Sequence, residues 1–88
     1  MSDTVALLQA ALKTLKPEHL EIRDDSAAHA GHAGARSGGG HYDVLIVSGR
    51  FAGLNSVARH RLVYATLGEL MKTRVHALAI RALTPDEL

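Results

Sequence analysis

Three histidines fall within thirteen residues, "HAGHAGARSGGGH", at positions 29, 32 and 41 of a chain of 88 residues that contains no cysteine. Without thiolates there are no disulfides, no cysteine nucleophile and no all-sulfur metal site, so a metal would have to be held by imidazole or carboxylate or shared with a partner. His29 and His32 are three apart with small residues between them, so a bend in the backbone could present both rings to one ion. His76, projecting from a strand, supplies a third ligand if the segment folds over it. The competing reading is that a glycine-rich polar segment accumulates histidines with no ligand role. His41 opens a strand and reads as structural, bonded to a neighbouring carbonyl, and His19 reads as a surface residue. His60 falls in the middle of an apolar helical stripe and reads as a buried histidine in its neutral form.

Other chemistry is poorly represented. Ser48-Gly49 lacks the G-x-S-x-G elbow of a serine hydrolase, and Asp24-Asp25 has no acid or base partner at a useful spacing. "GHAG" at 31–34 matches a G-x-x-G nucleic-acid clamp, but it lies between two strands where that clamp needs two helices. Gly38 to Gly40 run into a strand and not into a helix N-terminus, so no phosphate site follows. Tyr42, Phe51 and Tyr64 are the only aromatics, too few for a base-stacking platform. Nothing in this set requires an enzyme.

The elements that must position these residues are legible from periodicity. Val5, Leu8, Leu12 and Leu15 repeat at three and four residues, predicting a helix from Thr4 to Lys16 that Pro17 ends. Leu20 and Ile22 alternate with charged neighbours as a short strand. Ser26 to Gly40 hold five Gly, five Ala, two Ser, two His and one Arg, with nothing able to anchor a core. That segment reads as a long flexible loop, a length that in compact domains accompanies function or disorder. "YDVLIVS" reads as a central strand covered on both faces. Asn55 or Ser56 can cap a second helix reaching Lys72, whose apolar arc comprises Val57, His60, Val63, Tyr64, Leu67, Leu70 and Met71. "VHALAIR" at 75–81 is a third strand with His76, Leu78 and Ile80 on one face. Thr84, Pro85 and Glu87 form a capping box that starts a brief last helix. The order is helix, strand, strand, helix, strand and helical turn: an α+β two-layer single domain spanning residues 1–88.

The longest quoted run carries more than spacing. "HYDVLIVSGRFAGLNSVARHRLVYATLGELM" followed by "VHALAIRALTPDE" resembles the BolA family, through Val47-Ser48, Arg50-Phe51-x-Gly53, Arg59-His60-Arg61, Val75-His76-Ala77-Leu78 and Thr84-Pro85. "LEIRDDSAAHAGHAG" resembles the family's first strand and variable loop. The resemblance implies a class II KH-like domain of order α-β-β-α-β-(α), with helices on one face of a mixed three-stranded sheet and the variable loop at 26–41. It also implies a monothiol glutaredoxin partner and a bridging [2Fe–2S] cluster, held by a glutaredoxin cysteine and a glutathione thiol on one side. On this chain the implied ligands are His76 and a loop histidine, either His29 or His32, with His29 favoured by its distance from Asp25-Ser26. No tightly bound cluster is expected on the isolated protein, which lacks half the ligands.

Some family members are described as DNA-binding regulators of stress, morphology and biofilm responses. Charge gives that alternative a footing: residues 50–81 carry six Lys/Arg against Glu69 alone, while residues 1–49 carry four against six Asp/Glu. Arg50, Arg59, Arg61, Lys72 and Arg74, with Arg81, are the candidate contacts to double-stranded DNA, although a helix with solvated arginines gives the same asymmetry. A third reading is an interaction module whose histidines bind nothing. The chain has no apolar run of about 20 residues and no signal core, so the expectation is a cytoplasmic protein with no membrane partner, a monomer or weak homodimer when alone.

Overall fold

The structure, a computed structural model, describes residues 3–25 and 40–88. Helix α1 runs Asp3–Leu12 and tightens into a 3-10 turn at Lys13–Leu15. The expected helix to Lys16 is therefore not uniformly α-helical. Pro17 disfavours the right-handed region for the residue before it. Lys16 takes a left-handed conformation at φ 51° and donates its N–H to the Lys13 carbonyl at 2.9 Å.

Strand β1 is His19–Asp24, β2 is Gly40–Val47 and β3 is Val75–Leu83. They form one mixed sheet in the order β1-β2-β3. The β1–β2 pairing is antiparallel, with Ile22 opposite Val44, and the β2–β3 pairing is parallel, with Val44 opposite Ile80 and Ile46 opposite Ala82. A parallel pair needs a long crossover, and the two helices between β2 and β3 provide it.

Leu8, Leu12 and Leu15 from the first helical segment and Val63 and Leu67 from the second meet Tyr42, Val44 and Ile46 in one buried cluster. These strand residues are spaced by two, so they share a face, and their neighbours His41, Asp43 and Leu45 occupy the other, only partly covered. The expectation that β2 is covered on both faces is corrected here. Its apolar run reflects flanking by a strand on each side, while the helices cover one face alone.

The second helix also differs from its expectation. Asn55 is the cap, its Oδ1 accepting the Ala58 N–H at 2.8 Å, and helix α2 spans Ser56–Leu67. Gly68 then adopts φ 53°, which strains any residue with a Cβ, and a separate short helix, α3, follows at Leu70–Thr73. Val57 and Tyr64 of the predicted apolar arc are 58% and 41% exposed, so the helix buries a narrower stripe than periodicity implied. His60 is half-buried and lines a groove between α2 and β3, which corrects its assignment to the core.

Ser48 locks the two layers together. Its buried Oγ donates to the Leu15 carbonyl at 2.6 Å and accepts the Arg50 N–H at 3.1 Å, fixing the end of the first helical segment against the end of β2. At the C-terminal end, Thr84 and Glu87 form the expected capping box, on a 3-10 turn at Pro85–Glu87. Among the described residues, no helix is long and apolar enough to cross a membrane.

Candidate metal centre

The start of β3 determines where its histidine points. Gly40 lies opposite Val75, yet His41 lies opposite Ala77, so His76 is an extra residue at this step of the ladder, a β-bulge. Simple alternation puts His76 on the face of Leu78 and Ile80, as the sequence suggests. The bulge resets that alternation. Val75 is buried, His76 and Ala77 are both exposed, and the inward phase resumes at Leu78, Ile80 and Ala82. The expectation that His76 shares a face with Leu78 and Ile80 is thus corrected: its ring stands 5.2 Å from the ring of His41, centroid to centroid, with the planes at 44°.

Glycine at position 40 permits this arrangement. A Cβ there would meet the Tyr42 ring at 2.5–2.7 Å, and Tyr42 is buried and cannot easily move away. The flanks of the histidine-bearing segment are bonded into the same rim. Asp25 donates its N–H to the His41 carbonyl at 2.7 Å, and Gly40 donates its own to the Arg74 carbonyl at 3.2 Å. A concavity of about 250 Å³ beside His41 is lined by Asp25, Asp43, Ala77 and Ala79 among others. Asp43 there accepts a hydrogen bond from Arg23 Nη2 at 3.2 Å.

His29 and His32 lie outside the described residues. Of the three predicted ligands the structure therefore places His76 alone, on an open rim at the attachment points of the predicted loop. His19 is at the opposite end of the sheet, bonded to Glu21. His41, read from sequence as structural, is the residue beside His76. The signal that could have found it is parallel pairing, which brings the starts of β2 and β3 together. Among the described residues no group of three or more His, Asp or Glu is arranged to hold a metal. The rim offers imidazole nitrogen donors, which suit iron as well as zinc or copper, and it leaves further positions for ligands from elsewhere.

The predicted basic contacts are dispersed over several elements. Arg59 is a structural clasp: Nε donates to the Leu54 carbonyl at 2.8 Å, Nη1 to the Ala82 carbonyl at 3.0 Å, and both terminal nitrogens to the Glu87 carboxylate at 2.6 and 3.1 Å. Only 13% of its side chain is exposed. The Arg59 guanidinium, helped by the Thr84 N–H, holds the Glu87 carboxyl down to about 2. Arg50, Arg61, Lys72 and Arg74 are exposed, on the turn after β2, on α2, on α3 and just before β3, and Lys72 lies 3.9 Å from Glu69.

Comparison with known proteins agrees with this architecture. The family model described as "BolA-like protein" matches residues 11–87. BolA-like protein 1 of Bos taurus is 44% identical over 91 residues, covering 98% of this chain and 65% of the relative, so the chain spans somewhat less than two thirds of that protein's length. The DNA-binding transcriptional regulator BolA of Escherichia coli is 43% identical over 72 residues, covering 82% of this chain and 66% of the relative. The solved structure of BolA1 from Arabidopsis thaliana superposes with a TM-score of 0.85 at 41% identity, covering 100% of this chain and 98% of that one. With a family match over residues 11–87 and a solved relative that superposes over the whole chain, this chain belongs to the BolA family.

Proposed function

We propose that this protein is a non-enzymatic partner of a monothiol glutaredoxin, contributing imidazole ligands to a [2Fe–2S] cluster that the two proteins share for cluster assembly, transfer or sensing. His76 is the strand ligand, and His29 or His32 is the second. A glutaredoxin cysteine and a glutathione thiol complete the set on the partner's side. The single observation that carries this reading is the bulge that turns His76 out of the helix-covered face onto an open rim.

Donor chemistry supports it. A cysteine-free chain can bind iron through neutral imidazole, as in clusters where two histidines replace two cysteines on one iron and raise the potential. When bound, the cluster supplies electron storage and a transferable iron–sulfur unit. This chain's residues supply nitrogen donors, a rigid sheet to carry them and ligation that weakens as imidazole protonates. The isolated chain is expected to hold the cluster weakly.

The test is to mix the protein with cluster-loaded monothiol glutaredoxin and record visible absorption and circular dichroism. A new spectrum that is lost in His76→Ala supports the reading. No spectral change, or the same change with His76→Ala, defeats it.

The similarity to the DNA-binding transcriptional regulator BolA of Escherichia coli favours a second reading, a DNA-binding regulator. Its contacts would be the exposed Arg50, Arg61, Lys72 and Arg74. Arg59 would contribute little, because Glu87 already occupies its guanidinium. Duplex binding that weakens steeply with salt, and falls with Arg61→Ala, supports this alternative; binding indifferent to both removes it.

A further inference from the structure

We propose that His41 and His76 constitute a two-imidazole site that captures one divalent ion of the zinc, nickel or copper class on the protein alone, before any partner binds. Both residues are fixed by the sheet: His41 is the second residue of β2, and His76 is the bulged residue of β3 opposite it. Their ring centroids are 5.2 Å apart.

That separation is the one a shared ion requires. With metal–nitrogen bonds of about 2.0–2.1 Å and a tetrahedral opening, two imidazoles on one ion place their centroids roughly 5 Å apart. Most side-chain pairs must be drawn together by folding or by the ion itself. Here the backbone has already brought the rings to that separation. His76 is exposed, so its side chain can turn to aim a nitrogen without disturbing the core.

The surroundings suit a cation. Ala77 and Ala79 are small and leave a concavity beside His41, and Asp25 and Asp43 line it. No third protein ligand is gathered with them among the described residues, and an ion held by two imidazoles can complete its coordination with water. Imidazole donors suit zinc, copper and nickel, whereas calcium and magnesium select oxygen ligands.

One consequence rests on the glutaredoxin reading. His76 cannot serve a mononuclear ion and a cluster at once, so a bound divalent ion delays cluster capture by the mixed pair. Ion binding by the isolated chain does not depend on that reading.

The experiment is calorimetric titration of the full chain with zinc, accompanied by NMR of the histidine ring nitrogens. The variants are His41→Ala, His76→Ala, His19→Ala and the double replacement of His29 and His32 by Ala, each checked for native circular dichroism. The expected result is one equivalent of zinc, with shifts at His41 and His76. Binding is lost in either single variant of the pair and retained in the other two. Zinc binding that persists unchanged in His41→Ala, or that disappears only with the His29 and His32 replacements, overturns the proposal. If zinc fails to bind while the glutaredoxin mixture still acquires the His76-dependent spectrum, this proposal falls and the cluster reading stands; the opposite pattern separates them the other way.

Discussion

The two ends of β3 are built on opposite plans. Its C-terminal end is closed: Ala82 gives its carbonyl to Arg59, Arg59 meets both oxygens of Glu87, and Thr84 donates its N–H to the same carboxylate at 2.8 Å. Its N-terminal end is open, with a bulged and exposed His76 facing a second imidazole. One strand thus carries a polar network that is already satisfied at one end and, at the other, an exposed imidazole beside that of His41 on β2. Charge alone would have ranked them the other way, since Arg59 is a permanent cation and His76 is an imidazole. A charge whose partner is built in makes a clasp, and a donor turned to solvent makes a site.

Both ends depend on one core, and damage there should erase the contrast. Phe51 is fully buried behind β2, so Phe51→Ala should cost about 3–5 kcal/mol, measured by denaturant unfolding. Both ends should melt in the same transition, because a domain of this size unfolds cooperatively. Separate transitions would mean that the two ends do not share a frame.

Strong acid should loosen the clasp at the closed end. The Glu87 carboxyl is held at about 2 against an ordinary value near 4.5, so its stabilising contribution is complete above 4.5 and is lost as pH falls toward 2. Wild type should lose thermal stability across that window. Glu87→Gln should be less stable above it and show a flatter profile within it. Parallel profiles for the two proteins would remove the clasp.

The smallest effect belongs to the open end. His76→Ala and His41→Ala should each leave unfolding stability within about 0.5 kcal/mol, as for surface residues outside the core. A larger loss in either would show that the pair is a structural contact.

How much of this could be read from the residues depends on the range of the interaction. The α1 stripe, the alternation of Leu20 and Ile22 and the Thr84–Glu87 capping box are local, and their elements appear where the pattern puts them. Gly68 was hidden inside a helical periodicity because a glycine tolerates either helix or left-handed turn, and the packing decides. The bulge at His76 depends on how two strands distant in sequence come into register, so alternation within "VHALAIR" gave the wrong face for that residue. The proximity of His41 to His76 was hidden for the same reason. Arg59 looked like a solvated charge because its partner, Glu87, lies 28 residues away. The family resemblance, and not periodicity, singled out His76 as a candidate ligand.

The central claim is that an imidazole of this chain reaches the shared iron, and pulsed electron paramagnetic resonance tests it most directly. The chain would carry nitrogen-15 histidine, and the cluster in its glutaredoxin complex would be reduced. The expected result is nitrogen-15 coupling of ligand strength from two imidazoles, one of which is lost in His76→Ala. A reduced cluster with no such coupling, or one whose coupling is unchanged in His76→Ala, would contradict the claim.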